Sequence, residues 1–238
     1  MPYSSMTLQA LAQMLGMDIR RLERMAQRGE IPCQKIGGQF RFNSVEITEW
    51  LQQTMGAMNE EHLAAVDAGI TAHRQAQQDA SLIIPLLRIE AVNPALTSRS
   101  KNGTLRQLVG LAQETGLVYD GEALLEAVIL REDLCSTAME GGIAIPHPRR
   151  PLPYDIADTI LVIGRADQGI LFGGPDGPTR LFFMTASLDD TQHLHVLARL
   201  CRMLRDPDLI PGLLEAQTAQ EMVDLTAQAE TRVLERGV

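Results

Sequence analysis

Pro146 and Pro148 bracket His147 in the run Gly141-Gly142-Ile143-Ala144-Ile145-Pro146-His147-Pro148. A proline clashes with helical geometry in the residue before it, so Ile145 and His147 are both driven into extended backbone. No helix can cross this stretch. The chain must place a short apolar strand here, opened by a glycine pair and closed by a histidine on a stiff mount. An imidazole is close to neutral at cellular pH and offers a nucleophilic nitrogen. Just upstream, Arg131 brings a planar fork of donors and Ser136 and Thr137 bring hydroxyls, the groups that compensate charge on a phosphoryl oxygen. Phosphoryl transfer asks little more of a protein than such donors and an in-line nucleophile. As a pattern alone, a histidine between prolines is more often an ordinary loop residue.

With 238 residues there is room for two domains, and neither an internal repeat nor a low-complexity tract is evident. The N-terminus lacks a charged stretch followed by an apolar core and cleavage site, and no run of about eighteen apolar residues exists, so a soluble, cytoplasmic protein without a membrane partner is expected. Cys33, Cys135 and Cys201 are odd in number and widely spaced, as in reduced thiols with no metal-ligand pairing. The net charge of -9 argues against nucleic-acid binding by the whole surface. A local basic face remains open to it.

Such a face lies near the start. Leu8, Leu11, Ala12 and Leu15 follow helical spacing behind Thr7, a candidate N-cap, and Gly16 breaks the pattern. A second helix from about Asp18 to Arg28 gives helix-turn-helix spacing. At 3.6 residues per turn, Arg20, Arg21, Arg24 and Arg28 share an arc of about 100°, opposite Ile19, Leu22, Met25 and Ala26. Two short alternating runs around Gly37-Gly38 predict a hairpin, with Ile36, Phe40 and Phe42 on one face and Lys35, Gln39 and Arg41 on the other. Asn43 and Glu46 form a capping box for a third helix, whose Ile47, Trp50 and Leu51 close the core. From Thr54 to Ala80 the chain reads as a linker helix with a short apolar stripe of Leu63, Val66 and Ile70, and with His62 and His73 in solvent. That stripe serves either a homodimer, which would multiply DNA affinity through effective concentration, or docking on the C-terminal domain of its own chain.

Beyond the linker, helical patterns at Thr104–Glu114 and Glu122–Leu130 precede apolar runs at Ile143–Ile145, Thr159–Gly164 and Leu181–Thr185, and helices resume near Gln192. Helices mixed with short strands predict a three-layer α/β arrangement. On the last helical pattern, His193 lies about 40° from the apolar centre and His195 about 160° away. His193 should face inward and His195 water, so the two cannot share a metal ion. Asp176-Gly177 reads as a turn, and without a P-loop lysine and hydroxyl its glycines do not make a nucleotide site.

From about Leu82 onward the chain resembles the IIA domain of the phosphoenolpyruvate-dependent sugar phosphotransferase system, fructose/mannitol class, and especially its nitrogen-regulatory branch. The likeness rests on Leu125-Glu126-Ala127, Arg131-Glu132, Ser136-Thr137, Gly142 to His147, Asp176-Gly177, His193-Leu194 and Leu197-Ala198. It implies that His147 accepts a phosphoryl group on Nε2 from the phosphohistidine of HPr or a paralogue, with Arg131 neutralising the group and His193 against the same site. Cys135 and Pro148 stand where glycines are usual; the first would crowd the pocket and the second stiffen the loop. Residues from about Met6 to Leu51 resemble the excisionase-like and MerR-like winged helix-turn-helix domains, through the first two helices, Gly29-Glu30-Ile31-Pro32, Phe40-Arg41-Phe42 and Glu49-Trp50-Leu51. That likeness implies a helix in the major groove, with Arg20, Arg21 and Arg24 on bases or phosphates and Arg28, Lys35 and Arg41 on phosphates.

Together these readings give an α/β chain: a mainly α winged helix-turn-helix at 1–53, a linker helix at 54–80, and a three-layer IIA-type domain with a mixed sheet at 81–238. The expected function is a DNA-binding transcriptional regulator phosphorylated on His147 by an HPr-like carrier, a phosphohistidine-forming component with no cofactor and no metal. The alternatives are a phosphocarrier passing phosphate to a sugar-permease IIB protein and an adaptor that binds a target regulator according to phosphorylation state.

Overall fold

The computed structural model describes residues 5–74 and 82–236. Two compact units emerge: residues 1–79 with Leu194–Arg202, and residues 80–193 with 203–238.

In the first unit, β1 (Ser5–Thr7) leads into α1 (Leu8–Met14), where the Thr7 side chain accepts from Ala10 N. The chain turns at Gly16 and enters α2 (Ile19–Arg28), capped by Asp18 accepting from the amides of Arg20 and Arg21 and ended by Gly29 at φ 71°. β2 (Gln34–Ile36) and β3 (Gln39–Asn43) form the expected hairpin. Gly37 and Gly38 both have positive φ, 59° and 80°, the backbone a two-residue turn demands. β1 adds to the far edge, giving the order β1-β3-β2. On β3 the expected faces hold, Phe40 and Phe42 on one side and Gln39 and Arg41 on the other, but Lys35 and Ile36 of β2 exchange places. The turn sets Ile36 opposite Gln39 and Lys35 opposite Phe40, and directly paired residues share a face. Ile36 therefore stands with Arg41, 58% exposed, and the Lys35 ammonium sits over the Phe40 ring.

Asn43 caps α3 (Ser44–Thr54) through Val45 N. Leu11, Leu15, Leu22, Ile31, Phe42, Ile47 and Leu51 form the buried core. Trp50 is only half-buried and donates to the Glu30 carbonyl at 3.0 Å. In α4 (Glu60–Arg74) the stripe of Leu63, Val66 and Ile70 is buried inside this unit, so a dimer seam along it loses its motive. A side chain on Gly69 would meet the Gly16 amide at 2.8 Å and the Met14 carbonyl at 2.9 Å; glycine here lets α4 lie directly on the α1 turn. His62 is half-buried, not in solvent, and its Nε2 is buried with no hydrogen-bond partner. The His73 side chain lies outside the described residues.

The remaining wall of this unit comes from α7 (Asp190–Met203). Asp67, 1% exposed, accepts from Arg199 Nε at 2.7 Å and Arg202 Nη1 at 2.6 Å and lies 3.0 Å from His195 Nε2. His195 also meets the Thr71 hydroxyl at 2.9 Å. The expectation of a water-facing His195 is thus overturned: its helix phase points away from the apolar centre, and a carboxylate waits there instead of solvent.

The second unit is built on a mixed sheet in the order β4-β7-β8-β6-β5. Its strands are β4 (Leu87–Asn93), β5 (Ala138–Met139), β6 (Ile143–Ala144), β7 (Ile160–Gly174) and β8 (Gly177–Ala186). β4/β7 and β6/β8 run parallel, and β7/β8 and β5/β6 antiparallel. Strand side chains alternate between faces. Val162, Phe182 and Met184 pack with Leu105, Leu108, Leu124 and Val128 of α5 (Lys101–Glu114) and α6 (Gly121–Leu134). Odd-numbered Arg165 reaches the other way, donating to the Leu214 carbonyl at 3.0 Å and also to Ala216 at the end of α8 (Leu209–Glu215). Helices therefore flank the sheet on both sides, as the three-layer expectation required. On α9 (Ala219–Arg236), buried Glu230 accepts from the amides of Leu82, Ile83 and Ile84 and ties down the start of the unit.

Candidate functional site: a buried histidine pair

β6 delivers His147. The ladder continues past the strand, because Ile145 N donates to Thr137 O at 3.2 Å and Thr185 N to Pro146 O at 3.0 Å. Its entry is pinned as well: the Gly141 amide donates to Asp176 Oδ2 at 2.8 Å, and the Gly142 carbonyl accepts from Arg180 N at 2.8 Å. The turn read at Asp176-Gly177 therefore also latches the glycine pair ahead of the histidine.

His147 Nδ1 lies 2.7 Å from the Ile145 carbonyl. A carbonyl oxygen only accepts, so Nδ1 carries the proton and Nε2 holds the lone pair. Nε2 is buried without a hydrogen-bond partner. His193, in the first turn of α7, stacks obliquely on it, ring centroids 5.0 Å apart and planes tilted by 51°. Arg131 is buried in the last turn of α6, donating Nη1 to the Cys135 carbonyl at 2.9 Å.

Burial, then the neighbouring His193 and Arg131, hold the His147 imidazole well below its ordinary value. Burial and then Arg131 lower His193 to about 4. Both rings are neutral at cellular pH, so a lone pair is available at every moment and the guanidinium is the local positive charge. Such a pocket repels a proton and attracts an anion. His147 is 4% exposed, deeper than a strand-end mount suggests, so a reacting group gains Nε2 only when its cover parts.

Ser136 and Thr137 are close by in sequence but aimed elsewhere. The Ser136 hydroxyl donates to Phe172 O at 2.8 Å and the Thr137 hydroxyl to Glu132 Oε2 at 2.6 Å. Both protons are spent on bracing the frame. Glu132, 2% exposed, also accepts from Thr137 N and lies 3.0 Å from Lys101 Nζ. Sequence reasoning names Glu132 only within the family likeness and assigns no role to it or to Lys101, because an acid and a lysine on helices read as solvated. Cys135 is exposed at φ −166°, extended backbone that any residue adopts, and does not crowd the pocket. Pro148 is buried.

On the first unit, Arg20, Arg21, Arg24 and Arg28 are all exposed along α2. Arg28 makes a 3.7 Å pair with Glu30, both ends largely in solvent, which leaves its charge usable. Lys35 is exposed, and half-buried Arg41 donates to Gln39 Oε1 at 3.2 Å. Among the described residues no group of three or more His, Cys, Asp or Glu is placed to hold a metal, and no helix is long and apolar enough to cross a membrane.

The second unit has the fold of a phosphotransferase IIA domain. The crystal structure of nitrogen regulatory protein IIA-Ntr from Neisseria meningitidis superimposes with a TM-score of 0.54 at 25% identity, covering 61% of this chain and 99% of that one. Residues 85–229 match the family "Phosphoenolpyruvate-dependent sugar phosphotransferase system, EIIA 2", and the chain belongs to it. Residues 5–55 match a "Helix-turn-helix domain". The fructose-specific EIIA component of Haloferax volcanii is 33% identical over 153 residues, 63% of this chain and 96% of that protein. A nitrogen regulatory protein of Bradyrhizobium diazoefficiens is 35% identical over 149 residues, 61% of this chain and 94% of that protein. The fructose-specific EIIABC component of Bacillus subtilis is 29% identical over 149 residues, 61% of this chain, but only 23% of that longer protein is spanned. The chain is therefore a helix-turn-helix domain joined to a IIA domain.

Proposed function

We propose that this protein is a cytoplasmic DNA-binding regulator whose IIA domain takes a phosphoryl group on His147 Nε2 from an HPr-like phosphohistidine carrier. The observation that carries the reading is the unpartnered Nε2 lone pair beside His193 and Arg131. The lone pair attacks phosphorus, the P–N bond to the carrier's histidine breaks, and that histidine leaves with the bond's electron pair. Arg131 and His193 compensate the charge on the arriving oxygens. Ser136 and Thr137 keep the frame rigid by holding Phe172 O and Glu132. Phosphorylation adds about two negative charges to a pocket built for neutral rings, which is enough to shift an equilibrium between conformers. Arg20, Arg21, Arg24 and Arg28 on α2 contact DNA, with Lys35 and Arg41 of the wing on its backbone.

The deciding experiment incubates the protein with phosphoenolpyruvate, the first transferase and an HPr-like carrier, then measures acid-labile phosphate. Wild type should label and His147→Ala should not. Anisotropy titration with genomic fragments then compares the two forms. Specific binding should weaken with salt and with Arg24→Ala, and phosphorylation should change it. Label on His147→Ala equal to wild type, or binding no better than to random DNA, overturns the corresponding half. Phosphate passing onward to a IIB protein, without any DNA effect, would favour a carrier instead.

A further inference from the structure

The first unit contains a half-open cleft of about 250 Å³ that shares Arg21 with the proposed DNA contacts and takes no part in the phosphoryl site. It is walled by Met25 beside Arg21 on α2, by Met17, by Trp50 of α3, by Met58 and by Val66 of α4, with Arg21 and His62 as its basic members. It opens to solvent on one side, as a surface cleft does. An apolar cavity of about 150 Å³ already admits benzene, so this cleft has room for roughly ten non-hydrogen atoms. Three of its walls are methionines, unbranched and polarizable, which re-form around different apolar shapes. His62 also lines the cleft, but its Nε2 is buried away from the open space. At the rim, Arg21 adds a positive charge from an otherwise solvent-exposed residue.

We propose that this cleft binds a small organic carboxylate, its apolar body among Met17, Met25 and Trp50 and its charged end met by Arg21. The ligand acts on DNA binding, and this part rests on the reading of α2 as the DNA helix: Arg21 engaged by a carboxylate is withdrawn from the phosphates. The bound ligand therefore weakens the complex with DNA.

Trp50 is the only tryptophan in the chain and lines the cleft, so occupancy is read on the full-length protein without a label. The probes are 3-phenylpropionate and the neutral 3-phenyl-1-propanol, both transparent where tryptophan is excited. Trp50 emission should change saturably with the acid below about 1 mM, with the alcohol about tenfold weaker. Arg21→Gln should abolish that difference while the alcohol still binds. Ala57→Phe, which sets a ring at an exposed lining position, should block both probes while thermal melting shows the fold intact. No saturable change up to about 10 mM, or unaltered binding in folded Ala57→Phe, overturns the site. Equal affinity for acid and alcohol overturns the carboxylate. Saturating acid should lower affinity for a preferred DNA fragment by about fivefold or more, the range of ordinary allosteric coupling; an unchanged affinity overturns the regulatory half. If no fragment is bound even without probe, the DNA-binding reading fails while the fluorescence result still decides the site.

Discussion

His193 and His195 stand two residues apart on α7, both buried, both near arginines, and they have opposite electrical surroundings. At His193, burial and Arg131 push the same way, and the ring is driven to about 4. At His195, Asp67 lies 3.0 Å away and shares its charge with Arg199 and Arg202. For Asp67, burial works to raise its pKa, and the bonds from His195, Arg199 and Arg202 outweigh it, leaving the carboxyl at about 2. One cluster has supplied its own anion. The other offers positive potential and a lone pair, and that difference separates a structural clasp from the site proposed to take a phosphoryl group.

The strongest way to break this contrast is Asp67→Ala. It removes the carboxylate from under two buried guanidiniums, and losing one partner of a buried charge network costs about 3–5 kcal/mol. Urea unfolding followed through Trp50 should show that loss, with Asp67→Asn milder; a cost under about 1 kcal/mol would mean the cluster is not the clasp described. Next comes Arg131→Met, which takes the positive charge from the histidine pair. Phosphorylation should slow by about 10²–10³-fold under single-turnover conditions, whereas Asp67→Asn should leave the transfer step near wild type. Equal slowing in both would erase the distinction.

The pH profile separates the sites with a smaller effect. A histidine with a depressed folded pKa contributes stability that is complete above its ordinary 6.5 and declines as pH falls, because the unfolded chain gains the proton first. For His193 that window runs from 6.5 down to about 4 and spans roughly 3 kcal/mol. Asp67, depressed from 3.8 to about 2, keeps its contribution until pH drops below the ordinary carboxyl value and loses it through the folded one. His147 is depressed as well and loses stability in the same direction, so denaturation midpoints measured from pH 7 to 3 should begin to fall once pH drops below about 6.5. His193→Gln should flatten that part of the curve; an unchanged slope in the variant would contradict the depressed histidine.

Local rules carried much of the fold. Thr7, Asp18 and Asn43 cap helices, Gly37-Gly38 makes the turn, and the prolines at 146 and 148 leave His147 extended against the ladder. Where the sequence misled, a distant segment had decided the matter. Lys35 and Ile36 of the wing exchange faces because each run phases alone in the sequence, while the turn fixes which residues pair. β4 escaped notice since its burial does not alternate, with Ile89 46% exposed. Asp67 and Glu132 look like solvated helix acids, and helix phase says nothing about an arginine 132 residues further along or a lysine 31 residues earlier. Ser136 and Thr137 were chosen for their chemistry, and only coordinates reveal which acceptors hold their protons.

The nine-residue contribution of Leu194–Arg202 to the first unit has a practical corollary for anyone cutting the gene. A fragment that stops near residue 79 would lack the basic partners of Asp67, and it should be poorly behaved in isolation even though every helix-turn-helix residue is present. The reader head is not a detachable cartridge, because part of its housing is encoded more than a hundred codons downstream.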